Sequence, residues 1–171
     1  DAIAAMFVKG AVDAANVIAE NVSANKAEFV EVMNMTAKNL GMQNTHFVDP
    51  AGILDGNEST ALDMAILYAK ICERPELLEL LALSSYVLPP VERRERLIIY
   101  SKNTQLSKES ASFNGDVAAS RMAYTSNSKY CIASLMNYNN NKIIAVVLKA
   151  EGSQFSDTRK LLEFAKVAAA E

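Results

Sequence analysis

The 171-residue chain has no tryptophan, one histidine and two cysteines. One histidine, with cysteines of no metal-ligand spacing, leaves no metal site to expect, and no cofactor is expected either. Cys72 and Cys131 read as two buried thiols rather than a disulfide. No apolar run approaches the ~20 residues that a membrane-spanning helix needs, and no signal peptide is visible. There is no run of like charges, and the net charge of −3 lacks the basic face that nucleic acid requires. Repeats and low-complexity tracts are absent. What is present is ordinary globular composition, 50% hydrophobic and 22% charged, enough for one domain with a real core over residues 1–171. The chain starts at Asp1 rather than Met, which reads as a fragment or a processed form with any export signal upstream.

Apolar periodicity predicts the helices. Residues 1–22 read as one helix with Ile3, Met6, Phe7, Gly10, Ala14, Val17 and Ile18 on its apolar stripe. Residues 26–40 repeat the pattern, and Gly41 supplies the stop. Residues 42–60 are irregular, punctuated by Asp49-Pro50, Gly52 and Asp55-Gly56. Ser59 or Thr60 then caps a third helix to about Cys72, and Pro75 opens a fourth to about Leu83. "SYVLPP" and "RLIIY" read as short extended segments. The polar stretch 101–120 reads as loop, and 129–137 and 142–149 as strands joined at Asn139-Asn140-Asn141, because asparagine accepts positive φ. A final helix starts at about Ser156. Helices, then strands, then a helix give an α+β fold with an antiparallel sheet.

Three stretches carry a resemblance. They are "MFVKGAVDAANVIAE" (6–20), "FVEVMNMTAKNLGMQNTHFVDPAGI" with "STALDMAILYAKI" (29–53 and 59–71), and "AYTSNSKYCIASL" with "KIIAVVLKA" and "DTRKLLEFA" (123–165). In order and spacing they resemble the serine-type D-alanyl-D-alanine carboxypeptidases, the low-molecular-mass penicillin-binding proteins. The resemblance implies a β-lactamase/penicillin-binding transpeptidase-like fold: a helical region and an antiparallel sheet with a C-terminal helix. The N-terminal strands and the Ser-x-x-Lys helix of that fold are missing here. It also implies peptidoglycan as the field of action and an exported, extracytoplasmic location. The family's reaction is acyl transfer from a D-Ala-D-Ala peptide to a serine, followed by hydrolysis.

Its three motifs are a Ser-x-x-Lys helix turn, a Ser-x-Asn element and a Lys-Thr-Gly strand. The first should precede residue 1. The second falls where the chain reads Gly10-Ala11-Val12, which lacks both the hydroxyl and the amide. The third falls at Arg121-Met122-Ala123, just before Tyr124 and Thr125. Arg121 keeps a cation able to hold a carboxylate. Met122 has no hydroxyl, and Ala123 adds a methyl where glycine allows close approach. Two matches by letter are decoys: Ser126-Asn127-Ser128-Lys129 lies at a turn between strands, and Ser23-Ala24-Asn25 at the far end of the first helix.

No catalytic residue is therefore expected. The resemblance leaves Gly10, Val12, Arg121, Met122, Ala123, Tyr124 and Thr125 as substrate-binding candidates. His46 has no serine or cysteine partner in sequence and reads as structural, as does Cys131 in its apolar run. Glu92, Arg93, Arg94, Glu95 and Arg96 read as a solvated loop, and the methionines as core filler. Three functions remain: a degenerate relative binding a peptidoglycan stem peptide or an envelope protein, a piece of an active enzyme whose serine lies upstream, or a pure interaction module. Without the central helix, an apolar groove is expected between the first helix and the 129–149 hairpin. Self-association or a partner chain would cover it.

Overall fold

The computed structural model describes residues 1–169. Helix α1 (Ala2–Ala4) runs into a π-helical turn (Ala5–Lys9) that ends at Gly10, with φ +73°, and α2 (Val12–Val22) restarts beyond it. The single helix expected over 1–22 is thus two. Gly10 takes a left-handed conformation that costs glycine nothing and breaks the helix there. The periodic stripe runs through the break in sequence but not in space. Ala4, Val8, Ala15 and Ala19 are buried, whereas Ile3 and Val17 are exposed.

Helix α3 (Lys26–Asn39) is capped at Asn25, whose side chain accepts from Glu28 N at 3.0 Å; the Glu28 carboxylate accepts from Ala24 N at 2.9 Å. Residues 23–25 are therefore a helix start, which accounts for the Ser-x-Asn look-alike. The irregular segment that follows is held by side chains. Asn34 bonds both the N–H and the carbonyl of Phe47, and His46 and Glu58 exchange backbone bonds, which makes His46 structural. Asp63, buried in the first turn of α4 (Ala61–Ile71), accepts from Asn44 N and Thr45 Oγ1 while Thr60 caps that helix. Helix α5 (Pro75–Leu81) begins at its proline and stops two residues before the expected end.

Strands β1 (Ser85–Leu88) and β2 (Leu97–Tyr100) form a small antiparallel hairpin. The charged run at 92–96 lies in the connection between them. A three-stranded antiparallel sheet follows in the order β3 (Val117–Thr125), β4 (Lys129–Tyr138), β5 (Asn141–Ala150). Strand β3 begins inside the stretch read as loop. Its first half, "VAAS", has one β-branched residue, Val117, followed by three small side chains that give little strand signal. The β4–β5 turn places Asn139 and Asn140 at φ +47° and +61°, the left-handed pair that the asparagines suit. Helix α6 (Gln154–Ala168) starts two residues earlier than expected.

Strand alternation sends the two faces of this sheet into two cores. On one face Tyr68, Cys72 and Leu81 of α4 and α5 pack on Ala119, Ala133 and Leu135. On the other, Leu162 of α6 packs on Val117, Met136 and Ala145. A buried amide–hydroxyl cluster adjoins the sheet. Gln105 Nε2 donates to Ser120 Oγ (2.6 Å) and Ser134 Oγ (2.9 Å), and Asn103 Nδ2 donates to Ser120 Oγ (2.7 Å). Among the described residues no helix is long and apolar enough to cross a membrane.

Candidate functional site

The helical side of the sheet is incompletely covered. A half-open groove of about 280 Å³ runs between Met6 and Phe7 of the π-helical turn, Leu67, Tyr68 and Ile71 of α4, and the sheet face around Ala123, Ile132 and Leu148. It lies where the sequence led a groove to be expected. Its α4 wall repeats every three or four residues (Met64, Leu67, Tyr68, Ile71), the spacing of one helix face. That spacing is legible in the sequence; that the face is left uncovered is not.

Arg121 stands in the groove wall. Its Nη1 donates to the carbonyl of Met122 at 2.9 Å, and no carboxylate lies within ion-pair distance of it among the described residues. Burial pushes the guanidinium below its ordinary pKa, with neighbouring Tyr68 acting in the opposite sense. The guanidinium packs on Gly10: a Cβ built there would come within 3.0 Å of Arg121 Nη2 and 3.5 Å of Nη1. The structure thus brings together two positions that the resemblance picked from opposite ends of the chain. Tyr68 is only 3% exposed, and its hydroxyl is buried with no hydrogen-bond partner among the described residues. Burial, with Cys72 nearby, drives its pKa far up, and Arg121 partly opposes this. Sequence reading missed Tyr68, because a tyrosine on an apolar helix face usually reads as core.

The other candidates divide. Ala123 lines the groove beside Arg121. Met122 is 9% exposed, so its side chain belongs to the interior, and only its carbonyl, which holds Arg121, takes part. Val12 is the first residue of α2, on the far side of the Gly10 break. Tyr124 is exposed and its ring packs tilted against Tyr130, centroids 4.6 Å apart. Thr125 bonds Ser128 within the β3–β4 turn (2.7 Å). This also disposes of Ser126-Asn127-Ser128-Lys129 as a catalytic pair: it is a hairpin turn, with Lys129 at φ +56°. Cys72 is buried, but Cys131 is only half-buried and lines the groove, a correction to the expectation of two buried thiols.

This architecture is that of the penicillin-binding DD-peptidases. Penicillin binding protein 5 of Haemophilus influenzae superposes with a TM-score of 0.79 at 26% identity, over 94% of this chain and 45% of that one. DacD of Francisella tularensis, a D-alanyl-D-alanine carboxypeptidase, shares the fold with a TM-score of 0.82 at 21% identity, over 96% of this chain and 51% of that one. The model of the D-alanyl-D-alanine carboxypeptidase family matches residues 1–152, and the chain belongs to that family. DacF of Bacillus subtilis, named as such a carboxypeptidase, is 30% identical over 157 residues. That alignment takes in 90% of this chain but 39% of DacF, so the chain spans well under half of this curated relative.

Proposed function

We propose that this chain is a catalytically degenerate member of its family, exported to the cell envelope, where it acts in peptidoglycan metabolism by binding a polypeptide in the groove rather than by acyl transfer. The observation that carries the reading is the groove itself. An almost wholly apolar trough suits an apolar polypeptide face and offers a polar stem peptide little. Left wet, such a surface is unfavourable by about 25 cal/mol per Å². The positions that align with the family's two downstream motifs carry no hydroxyl, since Gly10 and Met122 stand where serine and threonine are expected. An active enzyme with its serine supplied upstream would still lack both groups.

Without its partner the chain should cover the groove by self-association. Light scattering should then give a mass above the monomer. Leu148, 36% exposed on the groove wall, is the place to disturb it. Leu148→Lys should return the chain to a monomer with an unchanged thermal transition. A monodisperse monomer of the unaltered chain, unfolding cooperatively, would contradict the reading.

A second reading is favoured by Arg121 alone. As the cation kept beside Gly10, it could hold the terminal carboxylate of a D-Ala-D-Ala stem peptide. Calorimetry should then show binding that Arg121→Ala weakens by ~1.5–3 kcal/mol. No binding to the unaltered chain, or equal binding by the variant, removes this second reading.

A further inference from the structure

We infer that the outer end of the β1–β2 hairpin is a docking surface for an anionic lipid membrane, entered by its apolar side chains and held by the cations around them. Nothing in this depends on the groove.

The hairpin carries more apolar surface than the fold uses. "RLIIY" holds a continuous apolar run, the pattern of a strand buried on both faces. In the structure Ile99 alone of β2 is buried. Leu97 and Ile98 point to opposite faces, as successive strand residues do, yet they are 46% and 42% exposed. The outer end therefore has solvent on both sides and stands out from the body of the protein. Ile98 pairs with Val87, which is exposed on the same face, as is Tyr100. Val91, 56% exposed, extends this surface to the tip, where it and Arg94 exchange backbone bonds at 2.9 Å. Arg94 Nη2 donates to the Pro89 carbonyl at 2.8 Å, which braces the turn. An apolar end held in shape and left wet is unfavourable until something covers it.

The charge identifies the cover. Residues 85–102 hold Arg93, Arg94, Arg96 and Lys102 against Glu92 and Glu95, a balance of +2 on a chain whose total is −3. Arg93, Arg96 and Lys102 are exposed and in no ion pair among the described residues. An anionic surface thus attracts the hairpin and repels the rest of the chain, which turns the molecule hairpin-first. Aliphatic side chains with a tyrosine and flanking arginines suit the membrane interface, where the ring and the charged heads sit at headgroup level. The stems of the cations follow the apolar residues inward. A protrusion exposed on both faces lacks the concave wall that a shaped polypeptide partner fills, whereas a fluid surface closes around it from either side. Glu92 and Glu95 limit the attraction, so the contact is peripheral and salt-sensitive.

The chain has no tryptophan, so one introduced at the tip is a unique reporter. Val91→Trp in the full chain is mixed with vesicles of phosphatidylcholine, alone or with an equal part of phosphatidylglycerol. Its emission should shift to the blue and be quenched by chain-brominated lipid in the anionic vesicles, and stay unchanged with the neutral ones. Met35→Trp, at an exposed position of α3, should show neither effect. Cosedimentation of the unaltered chain should favour the anionic vesicles at least about tenfold, and high salt should remove the preference. Arg96→Gln should weaken binding about fivefold, the loss expected of one cation at such a surface. Ile98→Asp should abolish it, while Leu148→Lys, in the groove, should still bind. Thermal unfolding confirms that each variant is folded, and the tryptophan reporter decides alone if Ile98→Asp is not. Equal binding to neutral and anionic vesicles, binding that survives Ile98→Asp, or an unshifted Val91→Trp would overturn the proposal. Loss of binding in Leu148→Lys would overturn it in favour of lipid in the groove. Binding to polyglutamate and not to vesicles would overturn it in favour of an acidic polypeptide.

Discussion

Arg121 and Gly10 share one space: a Cβ on Gly10 would stand 3.0 Å from Arg121 Nη2. The absence of a side chain at one position and the guanidinium at the other are a single structural feature. It joins a helix break near the N-terminus to the strand β3.

Restoring a serine at Gly10 should therefore harm the fold. Gly10 sits at φ +73°, a conformation that costs an L-residue about 1–2 kcal/mol, and the new side chain would also meet Arg121. Gly10→Ser should lower unfolding stability by at least ~1–2 kcal/mol in urea titration. Arg121→Ala in the same chain should recover the steric part and not the backbone part. A coupling free energy near zero in the double-mutant cycle would show that the two residues do not contend for the same space.

Asp49 should make stability depend on acidity. Burial raises its pKa, but hydrogen bonds from the backbone of Ile53, the side chain of Asn57 and the backbone of Leu54 and Ala51 outweigh it and hold the carboxyl below its ordinary value of 3.8. A depressed folded-state pKa contributes stability above the unfolded value, and this is lost as the pH falls through the folded one. Asp49→Asn should cost ~1.5–3 kcal/mol near neutral pH. The gap from the unaltered chain should narrow as the pH drops below about 4. A gap that stays constant down to the acid transition would contradict this.

The buried cluster of Gln105, Ser120 and Ser134 should behave as a unit. Ser120 Oγ also donates to the carbonyl of Ala133 at 2.9 Å, so it ties the Gln105 segment to two strands. Ser120→Ala should cost about 1–3 kcal/mol, because it strands buried amide donors. Adding Gln105→Leu should cost less than the sum of the single changes, because the stranded donor goes with it. Strict additivity would mean that the contacts are energetically independent.

Much of this fold is written in local signals. Thr60 announces a helix start, Gly41 a stop, and the asparagines at 139 and 140 a left-handed turn, and each acts over a few residues as its chemistry dictates. The break at Gly10 escaped because the apolar spacing of the flanking helices continues through it, and only the backbone angle separates them. The first half of β3 escaped because Val117 is followed by three small residues, and one β-branched side chain among them is too weak a strand signal. At the candidate site, Arg121 and Gly10 were legible through the family resemblance, since no local pattern connects residues so distant in sequence. Tyr68 and Cys131 were not. Tyr68 is a core residue whose buried hydroxyl alone sets it apart, and Cys131 differs from a core thiol only in lining the groove.

Covalent labelling tests the proposed lack of acyl transfer most directly. The purified chain is incubated with excess benzylpenicillin and its intact mass is measured. On the proposed reading, and with the nearest serine–lysine match in a hairpin turn, the mass should be unchanged. A stoichiometric increase by one penicilloyl group would contradict the account and show that a nucleophile operates within these residues.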